Sequence, residues 1–388
     1  MFSTRTNWNR STNRLTETLA RLQSSDREVL DLTASNPTEC GFRYDGASIL
    51  KSLIHPSILQ YQPDPRGLRS AREAVSAYYS ARDLRVSPDD LLLTTSTSEA
   101  YSYAFRLLCN PGDEILIPTP SYPLFDFLAD LQDVKLVRYP LFYDHGWHID
   151  FHALEQLITP TTRGIIVVHP NNPTGHYTRP KEMERLAQIC AFKKLAIIAD
   201  EVFLDFSRST GASQRSFVAN GHAALTFTMS GVSKISALPQ MKMAWLAVNG
   251  PKDLKREALA RLEIIADTYL SMNAPIQLAA PVLLAQRHAM QQQIMTRVEQ
   301  NLATLDSQLA DQRACSRLEM EGGWYAVLRV PATRSDEEIA LELLESEGVF
   351  VHPGHFYDFP GDGHMIVSLI TRERDFNEGI ERLLAAFQ

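Results

Sequence analysis

The chain has 388 residues, a length that suits two or three domains, or one large domain with a smaller one attached. Its 38 lysines and arginines are outnumbered by 46 aspartates and glutamates, and this net charge of −8 argues against a general nucleic-acid binder, which would carry a basic surface. Four cysteines lie far apart without a CxxC pair, so neither a disulfide framework nor a zinc knuckle is predicted, and free thiols in a reducing compartment are expected.

Membrane and export signals are not predicted. The apolar runs are far shorter than the roughly 18 residues that span a bilayer, and the N-terminus lacks the apolar core of a signal peptide. The first ten residues are rich in arginine, serine and threonine and faintly resemble a transit peptide, but we interpret them as an ordinary N-terminal arm. We expect a cytoplasmic protein without a membrane partner.

After this arm the chain has a helical pattern of leucines between residues 15 and 22, then a short apolar stretch that ends in a turn at Asn36-Pro37. From about residue 65, short apolar strands alternate with helical patterns. The predicted strands are 91–94, 114–117, 134–137, 164–168, 195–199, 225–229 and 243–248. Continuous apolar strands separated by helices are typical of a mostly parallel sheet covered on both faces, so the predicted fold class is α/β.

The remaining chain has a different pattern. A long helical region runs from Pro251 to about Leu309, interrupted near Asn273, and shorter elements follow it. These are predicted strands at 323–328, 349–351 and 365–369, and predicted helices at 336–345 and 376–384. We therefore predict a large domain around the central sheet at 46–275, a small α/β domain at 276–388, and an N-terminal segment at 1–45 that forms the arm and part of the small domain.

The familiar motifs of four enzyme classes are absent from the sequence. It contains no GxGxxG, GxxxxGKS/T, HExxH or GxSxG, the patterns of dinucleotide-binding enzymes, P-loop enzymes, zincins and α/β-hydrolases. His352, His355 and His364 lie in a turn-rich segment. A metal site is one interpretation of these histidines, but we favour solvated loop side chains and predict no metal.

Polar residues follow several of the predicted strands, where parallel sheets bind their ligands. Ser96-Thr97-Ser98-Glu99 lies between a strand and a helix, where free N–H groups and the helix dipole favour phosphate; a helix cap at Ser96 is the alternative. Asp200-Glu201 follows the strand at 195–199, and an acidic residue at that point is either a helix cap or a ligand for a cation. Lys234, after the strand at 225–229, is a candidate nucleophile or a surface lysine.

The order and spacing of these residues resemble the class I/II aminotransferases, the fold-type-I pyridoxal-phosphate enzymes. The most specific motifs are Asn-Asn-Pro-Thr-Gly at 171–175, Asp200-Glu201, and Ser-x-x-Ser-Lys at 230–234. The resemblance covers the chain from about Asp31 to the C-terminus. It implies the fold of that family, in which a large domain binds the cofactor and a smaller α/β domain lies beside it. It also implies a pyridoxal-phosphate-dependent aminotransferase that moves an amino group between an amino acid and a 2-oxo acid.

The resemblance also implies a role for each matching residue. Lys234 would form a Schiff base with pyridoxal phosphate and, once released, would shuttle a proton. Asp200 would keep the pyridine nitrogen protonated, because a nearby opposite charge favours the charged form. Asn172 would donate to the ring oxygen O3′, and Tyr122 would stack on the ring face.

Further residues would hold the phosphate and the substrate. The implied phosphate ligands are Ser96, Thr97, Ser98, Ser230 and Lys242. Tyr61 would reach the phosphate of a neighbouring subunit, which implies a homodimer with shared active sites. The candidate substrate-binding residues are Asn36, Asn172 and Arg372.

Three positions depart from the family pattern. Phe203 stands where the family usually has a tyrosine that donates to O3′. Lys242 stands where the family usually has an arginine that binds the phosphate through two hydrogen bonds. Ile366 stands where an arginine usually binds the substrate carboxylate, so Arg372 or Arg374 would have to serve, unless both are solvated surface charges. The substrate carboxylate therefore has no ligand at the expected position.

Two other functions stay open from the sequence. A lyase, decarboxylase or oxidase of the same fold would share Asn172, Asp200 and Lys234. The departures from the aminotransferase pattern at Phe203 and Ile366 favour these alternative reactions more than a full match would. A non-catalytic regulator that binds the cofactor is the second alternative. Such regulators usually carry a DNA-binding domain ahead of the fold, and residues 1–45 lack a helix-turn-helix pattern.

Overall fold

A computed structural model describes residues 1–25, 27–208, 216–219 and 223–387. The helices in these ranges are α1 (Arg14–Gln23), α2 (Gly46–Ser52), α3 (Arg69–Ser80), α4 (Thr97–Leu108), α5 (Phe125–Asp130), α6 (Phe151–Gln156), α7 (Pro180–Lys193), α8 (Val232–Ile235), α9 (Lys252–Tyr269), α10 (Ala274–Ala285), α11 (Arg287–Ala310), α12 (Asp336–Glu342) and α13 (Glu373–Ala385). The strands are β1 (Leu30–Asp31), β2 (Leu91–Thr94), β3 (Glu114–Thr119), β4 (Lys135–Tyr143), β5 (Trp147–Ile149), β6 (Thr162–Val168), β7 (Ala196–Asp200), β8 (Thr226–Gly231), β9 (Ala244–Asn249), β10 (Ser316–Arg317), β11 (Tyr325–Arg329), β12 (Val349–Phe350), β13 (His352–Pro353) and β14 (His364–Ser368).

The main sheet has, within the described ranges, the strand order β2-β9-β8-β7-β6-β3-β4-β5. The pairs β8–β7, β7–β6, β6–β3 and β3–β4 are parallel, and β9 runs antiparallel to both of its neighbours. Strands β6 to β9 are buried almost throughout, which explains their continuous apolar sequences, because both faces of such a strand meet protein. The predicted mostly parallel α/β sheet is confirmed.

Alternate residues of the central strands point into different apolar clusters on the two faces of the sheet. On one face, Ile198 and Leu246 pack with the side chains of α4 and α9. On the other face, Ile197 belongs to a cluster shared with α7 and the C-terminal part of the chain. On that same face Trp245 packs against α3 and α10, and its indole N–H donates to Tyr79 at 2.9 Å.

The parallel strands of the main sheet end at one edge, and this edge collects the polar residues that follow them. Thr97 follows β2, Asn172 follows β6, Asp200 is the last residue of β7, and Lys234 follows β8. Because β9 runs in the opposite direction, it begins at this edge, and Lys242 lies just before it. The sheet topology therefore brings together residues that are far apart in the chain.

A second layer combines the N-terminal segment with the C-terminal part of the chain. Strands β10, β11, β14 and β13 form an antiparallel sheet, while β1 pairs in parallel with β12. Helices α11 and α13 pack against each other beside these strands. Helix α10, which begins at Ala274, packs instead against α2 and α3. The domain boundaries at 45/46 and 275/276 stay predictions.

Most predicted elements are confirmed, and the exceptions are short. The break expected near Asn273 separates α9 from α10, and a second break at Gln286 separates α10 from α11. Strand β5 and helices α5 and α6 were not predicted, because elements of three to six residues are too short to show a period. Strand β4 continues well past the predicted end at residue 137, and its last three residues pair with β5. No helix in the described part of the chain is both long and apolar enough to cross a membrane.

Candidate active site

A cavity of about 420 Å³ opens at the carboxyl edge of the main sheet. Asn172, Asp200 and Lys234 line it from the main sheet, and Tyr325 and His352 line it from β11 and β13 of the small sheet. Much of the remaining lining is apolar or aromatic and includes Tyr101, Tyr122, Phe125, Phe203, Phe356 and Tyr357. The cavity therefore lies where the two sheets face each other. Six of the predicted site residues line it, namely Thr97, Ser98, Tyr122, Asn172, Asp200 and Lys234.

Lys234 lies in α8, the single helical turn that begins after β8. Its ammonium group lies 5.0 Å from the ring centre of Trp324 and 5.5 Å from that of Phe203. Burial lowers the pKa of Lys234 to about 8, although the negative charge of Asp200 opposes this shift. The side chain is therefore partly a neutral amine near pH 8, which is the form that can attack a carbonyl carbon.

Asp200 ends β7 and is only 8% exposed. One carboxylate oxygen accepts the backbone N–H of Val202 at 3.1 Å, and the other accepts the hydroxyl of Tyr101 at 3.1 Å. Burial raises the pKa of Asp200 to about 6, while these two donors and the charge of Lys234 lower it. Above that pH the group is a buried anion, and such an anion favours a cation placed beside it.

Asn172 lies in the loop after β6, and the loop has a defined shape. Thr174 Oγ1 donates to Asn171 Oδ1 at 3.0 Å, and the Gly175 N–H donates to the Asn171 carbonyl oxygen at 2.8 Å. Gly175 has φ +70°, and a Cβ there would lie 2.5 Å from the carbonyl oxygen of Gly322, so the motif needs glycine at this point. Asn172 Oδ1 is buried and has no hydrogen-bond partner within the described residues.

The start of α4 presents hydroxyl groups to the cavity. Ser96 caps the helix by accepting the Glu99 N–H at 3.2 Å, while Thr97 and Ser98 line the cavity. The predicted cap is confirmed, but the Glu99 carboxylate accepts the N–H of Thr95 at 2.6 Å instead of that of Ser96. Thr97 and Ser98 therefore belong to the site, and the side chain of Ser96 stabilises the helix end.

The other predicted phosphate ligands lie outside the cavity lining. Ser230 is 1% exposed and its hydroxyl donates to the Glu201 carbonyl oxygen at 3.3 Å. Lys242 is exposed, with φ +50° at the end of a 3₁₀ turn. Tyr122, which was predicted to stack on the ring and not to bind phosphate, does line the cavity and is half-exposed. Tyr61 is 79% exposed on the surface of the subunit.

Two of the three predicted substrate ligands are also absent from the lining of the cavity. Asn36 is exposed and its side-chain oxygen accepts from Thr38, whereas the neighbouring Ser35 lines the cavity. Arg372 is exposed at the start of α13 and donates to the Glu39 carbonyl oxygen at 3.4 Å. Ile366, at the expected arginine position, is 1% exposed in β14.

Several lining residues were missed by the sequence analysis. Tyr101, in the second turn of α4, fits a helical stripe of apolar residues, so its contact with Asp200 left no local signal. His352 is not the solvated loop residue that we expected, because it lies half-buried in β13 with Nδ1 3.1 Å from the Tyr357 hydroxyl. Within the described residues, no group of three or more His, Cys, Asp or Glu side chains could hold a metal ion.

Comparison with known proteins agrees with this geometry. A family model for aminotransferase class I and II matches residues 44–383. The chain is 28% identical over 369 residues to a glutamate-pyruvate aminotransferase of Escherichia coli K12, covering 93% of this chain and 91% of that protein. It is also 28% identical over 373 residues to an alanine aminotransferase of Mycobacterium tuberculosis, covering 94% of this chain and 86% of that protein.

Solved structures agree as well. An aminotransferase from Escherichia coli superposes with a TM-score of 0.86 at 26% identity, covering 100% of this chain and 99% of that one. Alanine aminotransferase from Pyrococcus furiosus superposes with a TM-score of 0.89 at 22% identity and the same coverage, a likeness of fold. The chain belongs to the aminotransferase class I and II family. It has the fold of the fold-type-I enzymes, its cofactor is pyridoxal phosphate, and its activity is that of an aminotransferase.

Proposed function

We propose that Lys234, Asp200 and Asn172 form the cofactor and reaction site of this aminotransferase. The observation that carries the proposal is that an amine just after β8 and a carboxylate at the end of the neighbouring strand β7 line one cavity. Within the described residues, neither side chain has an ion-pair partner within 4 Å. The buried anion and the partly neutral amine fit a cofactor with a basic ring nitrogen and an aldehyde, and the amide of Asn172 lines the same cavity.

When bound, pyridoxal phosphate supplies an aldehyde that captures amines and a ring that withdraws electrons from the substrate Cα. Lys234 would hold the cofactor covalently and, once displaced by the substrate amine, would move a proton to and from Cα as a neutral base. Asp200 would hold the ring nitrogen in its protonated form, since Tyr101 and Val202 orient the carboxylate and burial strengthens its field. Asn172 would donate to the ring oxygen, and Tyr122 would cover the ring face.

Thr97 and Ser98 are our proposed phosphate ligands. They lie in the first turn of α4, a helix of 12 residues whose first N–H groups and dipole favour an anion. Ser96, Ser230 and Lys242 stay candidates from outside the cavity lining. Lys242 lies at the same edge of the sheet and would act as a point charge.

We infer that one of the two amino acids that this enzyme interconverts with their 2-oxo acids has a small uncharged side chain. Two relatives are named as glutamate-pyruvate and alanine aminotransferases. Among the described lining residues no arginine is present, and Leu124, Phe125, Leu128 and Phe356 give the cavity apolar walls. Alanine as the donor, with a 2-oxo acid other than pyruvate as the acceptor, is therefore the first reaction to test, because transfer to pyruvate would only regenerate the same two compounds.

A homodimer is our proposal for the assembly. Ile54, Leu59, Tyr61 and Leu270 are each more than two-thirds exposed although they are apolar or aromatic. The Asp64 N–H donates to Ser271 Oγ at 3.1 Å, so the segment before residue 64 and the end of α9 lie together. A second copy that covers these residues would remove a large apolar surface from water and would bring Tyr61 towards the other subunit.

The cytoplasmic location also stays our proposal. It is supported by the free state of all four cysteines, Cys40, Cys109, Cys190 and Cys315. Thiols of this kind suit a reducing compartment.

Borohydride reduction of the cofactor-loaded enzyme, followed by digestion and mass spectrometry, tests the site. The reduced cofactor is expected on the peptide that contains Lys234. Lys234→Ala is expected to lose the absorption of the covalently attached cofactor. Its rate of amino-group transfer from alanine to 2-oxo acids is expected to fall by about four orders of magnitude or more. The exposed Lys252→Ala variant is the matched control. A label on any other lysine contradicts the assignment.

A further inference from the structure

The register of the small sheet places His352 directly opposite Ile366. Residues directly opposite each other in antiparallel strands project to the same face and have neighbouring Cβ atoms. Ile366 occupies the position at which an arginine was expected for the substrate carboxylate. His352 therefore lies next to position 366, where the arginine is missing, and on the same face of the sheet. Its side chain lines the cavity.

The ring of His352 has one nitrogen engaged and one free. Nδ1 lies 3.1 Å from the Tyr357 hydroxyl, whereas Nε2 has no hydrogen-bond partner within the described residues. When Tyr357 donates to Nδ1, the proton of the neutral ring is on Nε2, since only one nitrogen of a neutral imidazole carries hydrogen. Tyr357 thus leaves Nε2–H as a donor available to a ligand.

The charges around the cavity point to the same residue. Of the described side chains that line it, Lys234 and His352 are those that can carry a positive charge. Lys234 is assigned to the cofactor by the proposed function, on which this inference rests. A carboxylate that leaves water needs charge-assisted hydrogen bonds, and His352 is the group of the lining that can supply one.

We propose that His352 binds the α-carboxylate of the amino acid and of the 2-oxo acid, in place of the arginine that is missing at position 366. Tyr357 is a positioning residue, because it fixes the orientation and the tautomer of the ring.

The surroundings of His352 make this binding dependent on pH. Burial lowers the pKa of His352, and the charge of Asp31 opposes that shift. The hydroxyl of Tyr357 and the rings of Phe350 and Phe356, at 5.8 and 5.7 Å, also face the imidazole. A bound carboxylate favours the imidazolium, so binding takes up a proton when the free ring is neutral. The affinity for carboxylates should therefore fall as the pH rises above the pKa of the free ring.

Calorimetric titration of the cofactor-loaded enzyme with 3-phenylpropionate, an unreactive carboxylate, tests the proposal. Measurements near pH 7.5 in two buffers of different ionisation enthalpy give the number of protons taken up. For the wild type we expect proton uptake on binding. For His352→Gln, which keeps a hydrogen-bonding side chain of similar size, we expect binding at least tenfold weaker and no uptake. His355→Gln, at an exposed histidine outside the cavity lining, is the matched control and should match the wild type.

Kinetics give an independent measurement. In His352→Gln the KM of the best amino acid donor should rise at least tenfold, with a smaller change in kcat. The decarboxylated amine of the same donor, a poor substrate, should react equally well with both proteins. Tyr357→Phe should show a smaller loss of carboxylate affinity and provides the test if His352→Gln does not fold, as judged by near-UV circular dichroism.

Several results would overturn the proposal. These are unchanged carboxylate affinity in the folded His352→Gln variant, proton uptake that survives the substitution, or no binding of 3-phenylpropionate by an enzyme that transaminates. The first of these would indicate that another cation, such as one from a second subunit, binds the carboxylate. Failure of the proposed function looks different, because the wild type would then transfer no amino group, whatever its affinity for carboxylates.

Discussion

The hydroxyl of Tyr101 donates to the carboxylate of Asp200 at 3.1 Å, in the interior of the cavity. Tyr101 is 3% exposed, and its ring packs edge-on against Phe125 at 5.2 Å. The hydrogen bond joins α4, whose first turn carries the proposed phosphate ligands, to the end of β7. Tyr101 therefore fixes the direction of the carboxylate that we propose to face the cofactor, and its hydrogen bond favours the ionised form of that group.

Removal of this hydroxyl in Tyr101→Phe should destabilise the cofactor-free protein at pH 8 by about 1.5–3 kcal/mol, because a hydrogen bond to a buried charge is lost. At pH 5 the effect should be smaller, since Asp200, with a pKa of about 6, is then mostly protonated. Urea denaturation at the two pH values measures both quantities. A loss of equal size at pH 5 and pH 8 would contradict the role assigned to Tyr101.

Asp200→Asn should separate stability from function. Burial raises the pKa of Asp200 above its ordinary value of 3.8, so in the cofactor-free wild type this group costs stability as the pH rises from about 4 to 6. The neutral variant should lack that loss, which is of the order of 3 kcal/mol, and should be at least as stable as the wild type at pH 8. Its transaminase activity should fall by about three orders of magnitude or more, because the ring nitrogen loses its anion. Near-normal activity would argue against this role.

The pKa of Lys234, about 8, predicts how fast the cofactor attaches. After pyridoxal phosphate is added to the cofactor-free protein, the rate of covalent attachment should be constant above about pH 8. It should fall roughly tenfold for each pH unit below that value, since only the neutral amine reacts. In Asp200→Asn the midpoint should move to lower pH, because the anion that favours the ammonium form is gone. Stopped-flow absorbance measures the rates, and a midpoint near 10.5 in the wild type would contradict the buried site.

The exposed apolar residues before Asp64 predict the surface that holds a dimer together. Ile54 and Leu59 are 81% and 89% exposed, and the double substitution Ile54→Lys with Leu59→Glu should produce monomers. Phe192 on α7 is 82% exposed, and Phe192→Glu is the matched control that should leave the dimer intact. Sedimentation velocity distinguishes the two states. A double variant that sediments like the wild type would place the interface elsewhere.

His176 lies between two carboxylates, with Nε2 3.5 Å from Glu182 and Nδ1 3.7 Å from Glu321. Burial lowers the pKa of His176, but the two carboxylates raise it by a larger amount, so the net shift is upward. The group therefore adds stability below pH 6.5, and this stability is lost as the pH rises through the raised pKa. His176→Gln should cost about 3 kcal/mol at pH 6 and clearly less at pH 9, measured by urea denaturation. An equal cost at both pH values would mean that the ring is neutral throughout.

Much of the fold could be predicted from the sequence because its signals are local. The runs at 164–168, 195–199 and 225–229 are apolar over their whole length, as strands between two helical layers must be. The short elements β5, α5 and α6 could not be found in this way, since their positions depend on the neighbours they pack against. The break at Gln286 was missed for the same reason, because α10 packs on α3 and α11 packs on α13.

The residues of the candidate site also differ in how far the sequence alone could predict them. Asn172, Asp200 and Lys234 lie at or shortly after the ends of their strands, and parallel strands end at one edge, while the resemblance to the family supplied their roles. Tyr61 and Lys242 were chosen by resemblance alone, and one subunit leaves both outside the cavity lining.

The sequence by itself determined the kinds of chemical group at the strand ends, and with them the family, the cofactor and the amine that we propose to bind it. Only the tertiary structure decided which further residues surround these groups. The contact of Tyr101 with Asp200 depends on how α4 packs on the sheet, and the place of His352 beside Ile366 depends on the register of β13 against β14. Packing and register between distant segments are set by the whole folded chain, so no local pattern of residues contains them.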